Sequence, residues 1–79
     1  MKISLYSIKK ILFQGEGELF NCKTVMGEIT VLENHEPLIT VLSSGVIKIV
    51  DKGKEHFFPV KSGFLEVRPK SELRCIVEE

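Results

Sequence analysis

Apolar and polar residues alternate along most of this 79-residue chain. In the segment from Gly45 to Val50, Ile47 and Ile49 would share one face of a strand, and the residues between them the other. The segment from Glu72 to Glu78 alternates in the same way. A period of two is the pattern of β-strands, and no stretch of useful length carries the 3.6-residue period of an amphipathic helix. The chain is therefore predicted to be all-β.

Turn-forming residues divide the alternating segments about every 8–12 residues, which is typical of a β-sandwich or barrel. We predict one domain over residues 1–79, a compact antiparallel sandwich or flattened barrel of about eight to ten short strands. The turns that define this spacing are Gly15-Glu16-Gly17, Met26-Gly27, Asn34 to Pro37, Ser43-Ser44-Gly45, Asp51-Lys52-Gly53, Ser62-Gly63 and Pro69-Lys70-Ser71.

Three local features refine this prediction. Asp51 to Lys54 is expected to form a hairpin loop, because Gly53 can take a positive φ without a Cβ clash. Pro59 interrupts a strand-like run, and it cannot donate a ladder hydrogen bond, so its strand should lie at an edge or carry a bulge. Phe57 and Phe58 are neighbours and should point to opposite faces, one of them into the core.

Composition narrows the class of function. Lys+Arg and Asp+Glu both total 11, so the formal net charge is zero. Phosphate recognition needs a cationic surface, and attachment to anionic lipid needs basic clusters, so neither nucleic acid nor loose lipid binding is favoured.

We recognise no signal peptide and no apolar run long enough to cross a bilayer. With two isolated cysteines, Cys22 and Cys75, this predicts a reducing compartment and two buried or half-buried thiols rather than a disulfide.

Catalytic and metal-binding chemistry finds little support in the residue pattern. Cys22, His35, His56 and Cys75 are too widely spaced to show the local ligand pairing of a zinc site. Cys22 with His35 could form a nucleophile and base, but nothing in the sequence specifies that pairing. Gly15-Glu16-Gly17 lacks the third glycine and the Lys-Ser/Thr of a phosphate-binding loop. We therefore predict no catalytic residue, no cofactor and no metal.

A polar corner between two apolar runs is the most distinctive segment. It consists of Glu33-Asn34-His35-Glu36-Pro37 and is called the corner below. Pro37 restricts Glu36 to an extended conformation and sets its own φ at the entry to the next strand. A stiff corner loses little conformational entropy on binding, so it suits recognition. The residues alone thus favour a non-catalytic interaction module, in which His35 is either a solvent-side hydrogen-bonding residue or a partner contact.

A set of short motifs spans the chain: Phe13-Gln14-Gly15, Gly27-Glu28-Ile29, Asn34 to Thr40, Gly45-Val46, Ser62 to Val67 and Leu73 to Val77. The pattern covers essentially the whole chain, and its His-x-Pro-Leu and Gly-Phe-Leu-Glu-Val motifs are fairly specific in combination. Together these segments resemble the epsilon subunit of F-type ATP synthases.

The resemblance implies a ten-stranded β-sandwich and a rotor subunit without chemistry of its own. Such a subunit sits in the central stalk and holds the gamma subunit to the membrane c-ring during ion-driven, proton-translocating ATP synthesis. It would be peripheral to the membrane, at the cytoplasmic face of the inner (plasma) membrane. Carried over by position, Glu28 is expected to contact the c-ring, whereas Ser7, His35, Thr40 and Val46 are expected to face gamma.

The chain also departs from the family pattern. Thr30 replaces a preferred glycine, Glu33 replaces a frequent proline, and Lys23 to Met26 replaces a stretch that usually carries a Pro/Thr-Gly turn. Family members usually continue into a C-terminal helical hairpin that carries inhibition and nucleotide binding, and these functions are not expected of residues 1–79. A naturally short form and an isolated domain both remain open, as does coupling to protons or to sodium. The alternative is an unrelated, stand-alone sandwich with a pocket for a ligand or metal around His35 or His56.

Overall fold

The computed structural model describes residues 1–79, which form nine β-strands and the turns that connect them. This number agrees with the eight to ten strands that the turn spacing predicts and is one fewer than the resemblance implies. The strands are β1 Lys2–Ser7, β2 Ile11–Glu16, β3 Leu19–Thr24, β4 Gly27–Leu32, β5 Leu38–Leu42, β6 Gly45–Asp51, β7 Lys54–Val60, β8 Ser62–Arg68 and β9 Glu72–Glu78. No helix is available that could span a membrane.

The strands form one curled sheet that folds into two layers. Strands β2-β1-β9-β8-β5 make the first layer, and β4-β3-β6-β7 make the second. The layers join where Thr24 of β3 pairs with Leu42 of β5. On the other side, Phe13 of β2 packs its ring against His56 and Phe58 of β7, with ring centroids 5.5 and 6.5 Å apart. The predicted all-β sandwich is confirmed, although β1 and β9 pair in parallel rather than antiparallel.

Alternate residues of the strands build a single apolar core. Ile47 and Ile49 of β6 are both buried, as the period-two pattern predicts. Each layer contributes its inner face, and burial of these side chains supplies the main driving force for folding. The buried apolar residues are Met1, Ile3, Leu5, Phe20, Cys22, Val31, Leu42, Ile47, Ile49, Val60, Leu65, Val67, Leu73, Cys75 and Val77.

The local predictions for the β6–β7 hairpin also agree with the structure. Lys52 and Gly53 have φ of 52° and 80°, the two positive values that a type I′ turn requires. Pro59 lies on β7, an edge strand of the sheet. Phe58 packs against the core, whereas Phe57 is exposed on the outer face.

Strand register defines two ends of the molecule. Leu38 of β5 aligns with Val67 of β8, and the corner that precedes it lies at what we call the corner end. At the other end of these strands, Ser7 of β1 pairs with Val77 of β9 and Val77 pairs with Gly63 of β8. Gly63 in turn pairs with Leu42, the last residue of β5. The β3–β4 turn lies beside Leu42, so it belongs with Ser7 to the opposite end, which we call the hairpin end.

Candidate functional site

The corner is tied to other parts of the molecule at its first residues. The Glu33 carboxylate accepts a hydrogen bond from the Met1 amino group at 2.8 Å. The backbone N–H of Asn34 donates to Ser71 Oγ at 3.1 Å, and the Ser71 hydroxyl donates to Asn34 Oδ1 at 3.2 Å. The N–H of His35 donates to the carbonyl of Leu32 at 3.2 Å. Contacts with other segments therefore hold the first half of the corner, in addition to the restraint on Glu36 that Pro37 imposes.

His35 itself is half-buried at this corner. Its Nδ1 lies 2.7 Å from the carbonyl oxygen of Glu36, a distance at which a protonated Nδ1 donates a hydrogen bond. Nε2 takes no part in any hydrogen bond within the chain. A ring fixed through one nitrogen can present the other to a partner.

Glu28 lies at the opposite end, on the second residue of β4. Its side chain is exposed and accepts a hydrogen bond from Asn21 Nδ2 at 3.0 Å. It stands across from Lys23 in the β3–β4 ladder. The turn beside it exposes Val25 and Met26, the latter 88% exposed. A carboxylate next to two exposed apolar side chains makes this tip a mixed polar and apolar contact surface.

Val46 lies on the outer face of the second layer. It is 48% exposed, and Pro59 is its partner on β7. Phe57, which is 57% exposed, pairs with Lys48 on the same face. We call Val46, Phe57 and Pro59 the β6–β7 face. Exposed apolar side chains on adjacent strands form a surface that a partner can cover.

Ser7 and Thr40 are less accessible than Val46. Ser7 Oγ accepts hydrogen bonds from the backbone N–H groups of Lys9 and Lys10, so its hydroxyl stabilises the β1–β2 turn. Thr40 is half-buried and pairs with Leu65, which is fully buried in the core. Ser7 therefore has a local structural role, and Thr40 is positioned next to the core.

The predicted gamma-facing residues do not gather into one cluster of contacting side chains. Ser7 lies at the hairpin end and His35 at the corner end, separated by the length of β5, roughly 15 Å. Thr40 lies between these ends on the first layer, whereas Val46 lies on the outer face of the second. A partner that contacts all four would have to span both ends of the sandwich. Their contacts with gamma, and that of Glu28 with the c-ring, remain predictions.

Sequence reasoning missed an apolar surface on the first layer. Val41, Phe64 and Ile76 are cross-strand neighbours on β5, β8 and β9, and all three side chains are exposed. Ile39, which is 76% exposed, extends this surface along β5 beside Glu66. We call these four apolar residues the β5–β8–β9 face. The run Leu-Ile-Thr-Val-Leu in β5 is the signal that could have revealed it, because it places apolar residues on both faces of one strand.

The residues considered for metal chemistry do not form a ligand set, although the two buried cysteines are close enough for their thiolate charges to interact. Burial raises the pKa of the Cys22 thiol to about 11, with a smaller contribution from the charge of Glu28. Burial likewise raises the pKa of Cys75 to about 12, with Cys22 adding to the shift. His35 lies at the exposed corner and His56 stacks on Phe13. No group of three or more metal-ligating side chains forms, and neither histidine lines a surface concavity.

Comparison with known proteins covers nearly the whole sandwich. Residues 1–77 match the family model described as ATP synthase, Delta/Epsilon chain, beta-sandwich domain. The chain is 36% identical over 69 residues to an ATP synthase epsilon chain of Shouchella clausii, covering 87% of this chain and 52% of that one. It is 34% identical over 70 residues to an ATP synthase epsilon chain of Nitrosococcus oceani, covering 87% and 50%. The chain thus spans about half the length of the curated relatives it matches.

Solved structures show the same fold. A chain in the Euglena gracilis mitochondrial ATP synthase, in the assembly of OSCP, F1 and c-ring, superposes with a TM-score of 0.91 at 22% identity, covering 98% of this chain and 49% of that one. A chain in the central stalk and c-ring of the Tetrahymena thermophila mitochondrial ATP synthase gives a TM-score of 0.86 at 19% identity, covering 100% and 63%. These structures agree with the sequence match in architecture. The chain belongs to the ATP synthase delta/epsilon family and has the fold of that family's β-sandwich domain.

Proposed function

We propose that this chain acts as a non-catalytic central-stalk subunit of an F-type ATP synthase, where it couples the gamma subunit to the c-ring. The observation that carries the proposal is the family match over residues 1–77. The proposed complex is the one in which the matched structures from Euglena and Tetrahymena were determined. As such a subunit the chain would have no active site of its own. It would be peripheral to the membrane, on the cytoplasmic side, through the complex alone.

The physical demands of this role agree with the architecture. A rotor subunit that transmits torque must resist deformation, and a closed core between two layers meets this demand. It must also bind two partners at once. In our proposal the β6–β7 face with Val46, together with Ser7, His35 and Thr40, contacts gamma. The tip of the β3–β4 hairpin with Glu28 contacts the polar loops of the c-ring.

The gamma contact can be tested by a binding measurement with the gamma subunit of the same cell. Val46→Asp places a charge in the proposed apolar contact, so we expect affinity to fall about tenfold or more. Phe64→Asp is the matched control, because it introduces the same charge at an exposed apolar position on the other layer. Circular dichroism verifies that both variants fold.

The two failures in this experiment are distinct. If the unmodified chain does not bind gamma, the proposed function is wrong. If Phe64→Asp weakens binding and Val46→Asp does not, the function stands but gamma covers the β5–β8–β9 face instead.

The c-ring contact can be tested at Glu28. Glu28→Gln removes the charge and keeps the shape that accepts the Asn21 hydrogen bond. We expect about two- to fivefold weaker binding to the isolated gamma–c-ring complex, because exposed ion pairs contribute only about 0–1 kcal/mol. Glu16→Gln is the control, since Glu16 is an exposed carboxylate on β2, outside both proposed contact surfaces, and it should bind normally. Equal binding by both variants would remove Glu28 from the interface.

A further inference from the structure

The corner and the β8–β9 turn are joined by one serine. Ser71 lies 37 residues from Asn34 in sequence, yet its hydroxyl both accepts from the Asn34 N–H and donates to the Asn34 side chain. The N–H···O distance of 3.1 Å is within the normal range, whereas the O–H···O distance of 3.2 Å is that of a longer and weaker bond. Because both bonds converge on Asn34, they restrain its backbone and its side chain together.

The backbone of both partners is unusual. Asn34 has φ of 65° and Ser71 has φ of 56°, both in the left-handed region. Asparagine enters this region readily, whereas serine does so at an energetic cost. The carbonyl of Ser71 accepts a hydrogen bond from the Lys2 N–H at 2.9 Å, which anchors the turn to β1. Ser71 is therefore held in an unfavourable conformation that aims its hydroxyl at the corner.

The restraint acts immediately before His35. Glu33 is held by the Met1 amino group and Asn34 by Ser71, so the two residues that lead into His35 are both fixed. Pro37 limits the backbone on the other side. The direction of the His35 ring thus depends on a restraint that comes from a different hairpin.

We propose that Ser71 is a positioning residue for the corner: its hydroxyl fixes Asn34 and thereby holds His35 in the orientation that contacts gamma. This inference rests on the proposed function. Its physical basis is preorganisation, since a corner that is already ordered loses less entropy when a partner binds. Without the hydroxyl the corner would sample more conformations, and gamma would have to order it.

Two substitutions separate the hydroxyl from the backbone strain. Ser71→Ala and Ser71→Gly both remove the hydroxyl, but only glycine relieves the cost of the positive φ. We expect both variants to bind gamma about three- to tenfold more weakly, although Ser71→Gly should be the more stable of the two. Ser44→Ala, at an exposed serine outside the corner, is the control and should bind as the unmodified chain does.

Amide hydrogen exchange supplies a second readout that does not depend on gamma. We expect Ser71→Ala and Ser71→Gly to speed exchange at Asn34 and His35 and to leave the core strands unchanged. A double-mutant cycle with Asn34→Gly, which keeps the positive φ, should show that the two losses are not additive.

The possible outcomes distinguish this inference from the proposed function. If His35→Ala weakens gamma binding and the Ser71 variants do not, the function stands and the positioning role is overturned. If the unmodified chain fails to bind gamma, the function fails. Hydrogen exchange then decides whether Ser71 orders the corner. If exchange at Asn34 and His35 is unchanged in Ser71→Ala and Ser71→Gly, the positioning role is overturned too.

Discussion

At the scale of single residues, Glu33 shows how a departure from the family pattern gains a local role. The resemblance leads one to expect a proline there, but the structure uses the carboxylate to accept a hydrogen bond from the Met1 amino group. That amino group also donates to the Gly17 carbonyl at 2.9 Å. The hydrogen bond and positive charge of the amino group hold the pKa of Glu33 below its usual range. The contact joins the corner to the first residue of the chain.

The lowered pKa makes a prediction about pH. A carboxyl group whose folded-state pKa is depressed stabilises the fold above its unfolded pKa, and this contribution disappears as the pH falls through the folded value. Glu33→Gln should therefore lower the thermal unfolding midpoint at pH 7, and this difference should shrink and disappear as the pH falls through the lowered pKa of Glu33. Thermal unfolding at several pH values measures this.

Glu36→Gln is the control for that experiment. Glu36 is an exposed carboxylate of the same corner, and its side chain accepts no hydrogen bond. The Glu36→Gln variant should have the same thermal unfolding midpoint as the unmodified chain, both at pH 7 and at low pH. If the unfolding midpoint of Glu33→Gln stays below that of the unmodified chain at low pH, loss of the ion pair is not the cause of the difference.

At the scale of strands, close approach between β8 and β9 explains one glycine of the Ser-Gly-Phe-Leu-Glu-Val motif. A Cβ atom on Gly63 would collide with the carbonyl oxygen of Ile76 and would lie 3.0 Å from Val77 Cγ1. Both neighbours belong to β9, which is paired on its other side with β1. The strand cannot shift without disturbing two ladders. Gly63 is therefore required by packing against backbone rather than by a turn.

Gly63→Ala should accordingly destabilise the fold, by about 1–3 kcal/mol, the usual cost of overpacking. Urea unfolding measures the change. Gly45→Ala is the matched control, because the nearest atom to its new Cβ would be Cδ of the flexible Lys23 side chain, at 3.0 Å. We expect it to cost less than about 1 kcal/mol. Equal losses at the two glycines would contradict this account of β8 and β9.

At the scale of the whole molecule, closure depends on contacts between residues far apart in sequence. The first and last strands pair in parallel, Thr24 joins the layers on one side, and Phe13 packs against β7 on the other. Cys22 and Cys75 lie inside this closed body, one in each layer, and both are free thiols. Burial therefore removes them from reactive chemistry, as their raised pKa values indicate.

Thiol labelling tests that closure. At pH 8 both cysteines should react with a thiol reagent far more slowly than a free cysteine, because the native thiols are protonated and inaccessible. In urea both should react at once. Rapid labelling of either thiol in the native chain would mean that the layers open easily, which would contradict the proposed role in torque transmission.

The sequence by itself determined the fold class and the inner face of strands that alternate strictly, such as β6, and it restricted Pro59 to an edge or a bulge. Period-two alternation and turn residues are local signals, and burial of one face follows from them directly. It also identified the family, through motifs that span the chain, and it marked the corner as stiff because proline acts on its immediate neighbours.

The tertiary structure alone decided which residues meet. The parallel pairing of β1 with β9, the bond between Ser71 and Asn34, the ion pair of Glu33 with Met1 and the apolar β5–β8–β9 face all join distant segments. The wide separation of Ser7 from His35 also appears only when the register is known. Such contacts depend on how strands are ordered in the sheet, and no short-range pattern in the sequence encodes that order.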